Sequence, residues 1–294
     1  MLKYVLSDTI PLHSPGARAK IRGGPARMDA VNRPVPGRCH GQSMTAAAGG
    51  GFFVRVLVFK NEAEIGRAAA MIVASEIIGK PDCVLGLATG STPIPTYREL
   101  IRMNREGLLD FSEARSYNLD EYIGLVPGHP CAYRRFMDEQ LFDHINIDRA
   151  NTHVPCGVGA DHEADARAYD AAVEAAGGID LQILGIGRDG HIGFNEPGEA
   201  FVSEAHIATL AETTLDANAR FFGKREDVPR QAITLGVRGI MAAKRVILLA
   251  VGRDKAKAVA GAVRGNITPW LPASLLQAHG NVQFLLDSEA ASEL

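Results

Sequence analysis

The sequence predicts an α/β protein of three layers, a mostly parallel sheet with helices on both faces. Three observations carry that expectation. Residues 83–88 and 246–251 are short apolar runs of the kind buried on both faces of a parallel sheet. Segments with an apolar face at helical spacing alternate with such runs along the chain. A glycine-rich stretch, residues 181–197, follows another apolar run, and ligands bind at the carboxyl ends of strands in open α/β sheets.

In chain order, residues 52–59 read as the first strand. Asn61 with Glu64 is a helix start of capping-box type. Ile65, Ala68, Ala69, Ile72, Val73 and Ile77 supply the buried face of that helix. After the strand at 83–88 come Thr89-Gly90-Ser91-Thr92-Pro93 and a helical pattern through Tyr97, Leu100, Ile101 and Met103. Strand, hydroxyl-rich turn and helix N-terminus together can cradle an anion, and a capped βα turn explains the segment equally well. The turn has no lysine, so it is not a Walker loop, and a sugar phosphate suits it better than a nucleoside triphosphate.

Residues 114–119 form a strand closing on Asp120-Glu121-Tyr122, where adjacent carboxylates point apart and at most one faces a pocket. A helix over about 131–143 carries Tyr133, Phe136, Met137 and Leu141 as a core stripe, and another spans about 162–176. Residues 212–228 are polar, a solvated helix or a mobile flap in which Arg220 could grip a phosphate bidentately. The strand at 246–251 runs into Gly252-Arg253-Asp254-Lys255, which puts Lys255 at a strand's carboxyl end as a second phosphate candidate. Residues 282–286 close the sheet. The alternation makes the fold Rossmann-like, and no linker or internal repeat follows residue 51.

The chain has 294 residues, 46% hydrophobic, with a formal charge of −3. That balance argues against a nucleic-acid partner. No apolar stretch approaches the roughly 18 residues needed to cross a bilayer, so no membrane role is expected. Cys39, Cys83, Cys131 and Cys156 lack C-x-x-C or zinc spacing and read as reduced thiols of a cytoplasmic protein. Residues 1–51 are rich in Gly, Pro and basic side chains without helical or strand periodicity, so an unstructured extension is expected there. Met44 is an alternative start, and residues 52–294 form a single domain.

Function points back to residues 181–197. Asp189, His191 and Glu196 crowd into eight residues among Gly185, Gly187, Gly190 and Gly193. A dinucleotide fingerprint is one reading, since Gly185, Gly187 and Gly190 match G-x-G-x-x-G with Glu204 and Glu212 as distant acidic candidates. That motif needs a helix, which Gly193 and Asn195-Glu196-Pro197-Gly198 would break. A loop with a solvated histidine is a second reading. The third, which the residue types favour, is an acid/base site where His191 titrates near neutrality and the carboxylates set its tautomer and charge.

Four segments taken together, Ala88 to Pro93, Asn118-Leu-Asp120-Glu-Tyr122, Gly185 to Pro197 and Asn218-Ala-Arg220-Phe-Phe222, resemble the glucosamine-6-phosphate deaminases, in the family's order from about residue 54 to 288. The resemblance implies conversion of glucosamine 6-phosphate and water to fructose 6-phosphate and ammonia, within N-acetylglucosamine catabolism. It makes Asp120 the base that moves the proton between carbons 2 and 1. It makes His191 the ring-opening group, tuned by Asp189 and Glu196. Thr89, Gly90, Ser91, Thr92, Arg220 and Lys255 would hold the phosphate, with residues 210–229 as a lid. No metal or organic cofactor is implied.

Two departures bear on regulation. An arginine and a lysine that bind N-acetylglucosamine 6-phosphate in activated members correspond here to His206 and Ala208, so that activation is expected to be absent or weak. The chain also stops soon after Leu286, without the longer tail of hexameric members, which points to a monomer or small homo-oligomer. Ala132 replaces a common serine. Galactosamine 6-phosphate as substrate, lactone hydrolysis of the 6-phosphogluconolactonase type and a non-catalytic sugar-phosphate sensor are the alternatives. The sensor would need a DNA-binding module for which residues 1–50 are too short and unpatterned.

Overall fold

A computed structural model of the protein describes residues 42–47 and 53–294, all within one compact unit. Strands β1 (Gln42–Ala47) and β2 (Phe53–Phe59) come first, then helix α1 (Glu62–Gly79) and strand β3 (Val84–Leu87). Helix α2 (Ile94–Arg105), strands β4 (Arg115–Asn118) and β5 (Asp120–Tyr122), helix α3 (Tyr133–Gln140) and strand β6 (Thr152–His153) follow. Next are α4 (His162–Ala175), β7 (Leu181–Leu184), β8 (His206–Thr209), α5 (Glu212–Phe222) and β9 (Gln231–Thr234). The chain ends with α6 (Val237–Met241), β10 (Arg245–Ala250), α7 (Ala256–Arg264) and β11 (Val282–Asp287).

The main sheet runs β1-β2-β11-β10-β7-β3-β4-β6. Only β1 is antiparallel to its neighbour, so seven strands form the parallel sheet expected. β3 and β7 are buried throughout, as a sheet covered on both faces requires; β3 is free of polar side chains, and in β7 Gln182 donates through Nε2 to the Ile183 carbonyl. From β2 the chain steps through β3 and β4 to β6 in one direction, then from β7 through β10 to β11 in the other. Right-handed crossovers therefore place α1 and α2 on one face and α4 and α7 on the other. β3 and β7 are neighbours whose chains leave in opposite directions, which opens a crevice between their carboxyl ends.

A second sheet, β5-β9-β8, is antiparallel and sits at that end. It was not legible locally, because Asp120–Tyr122 pairs with a segment more than a hundred residues away. β1 is the other departure. It lies inside the leader expected to lack structure, and its residues show no strand pattern of their own; the free edge of β2 dictates it. The remainder of that leader lies outside the described residues.

Local signals explain the helices. Asn61 Oδ1 accepts from the Glu64 N–H at 3.0 Å, the cap expected for α1, although Glu64 Oε2 returns to the Lys60 N–H rather than to Asn61. The buried face of α1 is Ile65, Ala69, Val73 and Ile77, with Ala68 and Ile72 partly buried. α2 opens at Pro93 without a side-chain cap, so neither Ser91 nor Thr92 spends its hydroxyl on the helix. Among the described residues, Cys83, Cys131 and Cys156 are free thiols, and no helix is long and apolar enough to cross a membrane.

At the opposite end of the strands Asp180 joins three of them. Its Oδ2 accepts from Lys80 Nζ (2.6 Å) and from the Val84 N–H (2.8 Å), and its Oδ1 accepts from Lys244 Nζ (2.7 Å). Burial alone would raise this carboxyl, but the two lysines and the amide hold it below the usual range. The stabilisation is therefore present above the ordinary carboxylate pKa of about 4 and lost as pH falls through the lowered value. Asp180→Asn is expected to cost about 1–3 kcal/mol in urea unfolding at neutral pH, less in acid.

Candidate active site

A cavity of about 330 Å³ occupies the crevice between β3 and β7, floored by the loops after those strands and roofed by α5. The loop after β7 is shaped by its glycines. Gly190 and Gly193 hold φ of 90° and 58°, a left-handed backbone that disfavours side chains. Gly187 is needed for a different reason: a Cβ there would stand 2.2 Å from His191 Nδ1 and 2.6 Å from Asp189 Oδ1. Further along, Asn195 Nδ2 donates to the carbonyls of Ile192 and Leu235, both at 2.9 Å, and the Phe194 N–H donates to Thr234 Oγ1. These bonds fasten the loop to β9. No helix opens after Gly190, so the dinucleotide reading lacks its binding element.

His191 Nδ1 lies 2.8 Å from Asp189 Oδ1 and 3.4 Å from Glu196 Oε2. Burial opposes a charge on this imidazole, but the two carboxylates outweigh it and raise its pKa to about 9. Sequence reasoning expected titration near neutrality; the paired carboxylates move it well above. Asp189 responds in the opposite sense. Burial would raise its carboxyl, yet His191 and Thr213 hold it far below its usual range. The resting triad is thus an imidazolium between two carboxylates.

Asp120 faces the same cavity from β5, 6% exposed. Its pKa is raised to about 7, first by burial and then by the neighbouring Glu121 carboxylate, while His191 pulls it down. Glu121 points away. Its Oε1 accepts from the Tyr122 and Tyr133 N–H groups and its Oε2 from the Arg134 N–H, so it caps the first turn of α3 from a strand earlier in the chain. One carboxylate of the pair faces the pocket, as expected.

Thr89, Gly90, Ser91 and Thr92 line the end of the cavity beside α2, and Arg220 and Lys255 line it from α5 and the turn before α7. Burial, with the Arg188 and Arg220 guanidiniums nearby, holds the Lys255 ammonium below its ordinary value although Asp254 works against that. A bound anion would relieve this crowding of positive charge. Arg220 rests on the Phe221 ring, 4.6 Å from its centroid. Of the catalytic and phosphate-binding residues expected from the sequence, Glu196 alone does not line this cavity; it reaches His191 from the side of a second cavity of about 380 Å³.

Several contributors escaped sequence reasoning. Tyr133 and Phe136 were assigned to the core stripe but line the cavity; Met137 and Leu141 are the buried pair. Asn218 Nδ2 donates to Tyr122 Oη (2.9 Å), and the Tyr133 hydroxyl donates to the same oxygen (3.3 Å). Arg188 pairs with Asp254 at the rim (2.7 Å). Thr213 and Thr214 touch the two triad carboxylates. All these contacts join distant segments, so no local spacing announces them.

Comparison with known proteins places this geometry among relatives. Residues 61–284 match the family described as glucosamine-6-phosphate isomerases/6-phosphogluconolactonase. The chain is similar to the glucosamine-6-phosphate deaminase of Halothermothrix orenii, 51% identical over 241 residues that cover 82% of this chain and 100% of that one. Its counterpart in Clostridium perfringens is likewise 51% identical over 241 residues, with the same coverage. A solved structure described as a monomeric glucosamine-6-phosphate deaminase superposes with a TM-score of 0.80 at 45% identity, covering 81% of this chain and 99% of that one. The 6-phosphogluconolactonase of Trypanosoma brucei gives 0.63 at 24% identity, covering 83% and 99%, and so shares the fold.

Proposed function

This chain belongs to the family of glucosamine-6-phosphate isomerases and 6-phosphogluconolactonases, its activity is deamination of glucosamine 6-phosphate, and we propose that Asp120, His191, Asp189 and Glu196 carry out the reaction. The substrate phosphate sits against Thr89, Gly90, Ser91, Thr92, Arg220 and Lys255, under a lid formed by residues 210–229. His191 donates a proton to the ring oxygen and, as the neutral imidazole, takes the proton of the carbon-1 hydroxyl, which opens the pyranose. Asp120 takes the proton from carbon 2 and returns one to carbon 1, turning the amino aldehyde through an enolamine into the carbon-2 imine. Water adds at carbon 2, ammonia leaves and fructose 6-phosphate remains. Asp189 and Glu196 hold His191 in orientation and favour its protonated form at the start of each turnover.

The observation that carries this reading is a buried carboxylate of raised pKa in the same cavity as the imidazolium triad. Lactone hydrolysis uses the histidine but has no proton to remove from carbon 2. The route requires no metal or organic cofactor, and its place is in N-acetylglucosamine catabolism. Free thiols support a cytoplasmic setting. The monomeric relative supports a monomer or small homo-oligomer.

The test is release of ammonia and fructose 6-phosphate from glucosamine 6-phosphate. Turnover of galactosamine 6-phosphate alone would reassign the epimer, and turnover of lactones alone would overturn the reading. Adding N-acetylglucosamine 6-phosphate is expected to leave the rate curve unchanged. His206 and Ala208 line the second cavity, and its lining residues include no lysine or arginine to meet an effector phosphate.

A further inference from the structure

Each carboxylate beside His191 has a second partner that the reaction does not use, and both partners lie in the first turn of α5. Thr213 Oγ1 donates to Asp189 Oδ2 at 3.0 Å. Thr214 Oγ1 donates to Glu196 Oε1 at 2.7 Å, and the Ala211 N–H donates to the same oxygen at 3.3 Å. The oxygens left over, Asp189 Oδ1 and Glu196 Oε2, are the two that face His191 Nδ1. Each carboxylate thereby turns one oxygen to the imidazole and the other to the helix.

α5 has no side-chain cap of its own at this end. Its positive N-terminus meets two anions, which suits both helix and carboxylates. The same helix carries Asn218, bonded to Tyr122, and Arg220, which lines the cavity. Thr213 and Arg220 are seven residues apart, about 10 Å along the axis. A rigid helix of this length cannot be reseated at one end without moving the other.

On the deaminase reading, we infer that Thr213 and Thr214 are positioning residues that make the orientation of the His191 triad depend on the seating of α5, so that phosphate held at Arg220 is felt at the imidazole. When α5 lifts, the carboxylates lose their hydroxyl donors and swing free of Nδ1. When phosphate draws Arg220 down, the threonines set both carboxylates against His191.

The test uses threonine-to-valine changes, which keep side-chain shape and remove the hydroxyl. Thr214→Val is expected to lower kcat by roughly 10- to 100-fold with KM changed less than about threefold, and Thr214→Ser to retain most of the activity. Imidazole NMR signals of His191 should shift on addition of inorganic phosphate in the wild type and in Thr214→Ser. In the Thr213→Val/Thr214→Val protein that shift should vanish while calorimetry still detects phosphate binding. Thr214 is 4% exposed whereas Thr213 is on the surface, so Thr213→Val keeps the test available if the buried change prevents folding. A kcat within about twofold of wild type in the valine variants, or an undiminished phosphate-induced shift, would overturn the inference. A wild type that releases no ammonia sinks the deaminase reading instead, and the NMR comparison still decides the clamp.

Discussion

Asp120→Asn is expected to abolish ammonia release from glucosamine 6-phosphate, a loss of about 10³-fold or more in kcat/KM. The amide has the shape of the carboxylate but cannot take the carbon-2 proton. Binding should survive, since the proposed phosphate contacts lie on other loops. A lactone-hydrolysing site would keep most of its rate, so retained turnover would refute the assignment. Stability should move the other way. The folded pKa of about 7 exceeds the unfolded value of about 4, so the fold loses stability as pH rises between them and carries the full cost of a buried charge above 7. The asparagine variant escapes that cost. Its melting temperature should exceed the wild type's at pH 8 and match it near pH 4, the pattern of a residue kept for chemistry at the expense of stability.

His191→Asn is expected to lower kcat/KM by about 10² to 10³ and to change the pH profile with it. In the wild type Asp120 must be deprotonated and His191 protonated. The rate should therefore rise through about pH 7 and fall through about pH 9. Without the imidazole the alkaline limb should disappear, and the acid limb should move to higher pH because His191 no longer pulls Asp120 down. A wild-type profile flat between pH 6 and 10, measured on the same ammonia assay, would show that neither group titrates in the rate-determining step. The carboxylates have a further effect: Asp189→Asn removes the nearer of the two charges on Nδ1, so the alkaline limb should move to lower pH.

Much of this was legible because it is local. The alternation of apolar strands and helices determined the three-layer sheet, since each strand buries both faces and each helix one. Asp189, His191 and Glu196 lie within eight residues, and the glycines around them mark where the backbone turns and where His191 packs. Thr89–Thr92 and Lys255 could be placed at strand ends from sequence alone. The topology then sets those loops side by side, because β3 and β7 are adjacent and diverge.

Contacts of long sequence separation are what the chain did not reveal. The small sheet depends on β5 meeting β9, and β1 exists because β2 has a free edge. Which carboxylate of Asp120 and Glu121 faces the cavity is set by where the amides of α3 arrive, twelve residues later. Asp189 and Glu196 are sequence neighbours of His191, but only the folded loop brings both carboxylates onto one nitrogen, which lifts the imidazole's pKa well above neutrality. Thr213 and Thr214 look like ordinary helix-start residues until α5 lies across the loop from β7. Local propensity depends on neighbours a few residues away, whereas charge, burial and hydrogen-bond partners depend on what the fold brings within a few ångströms.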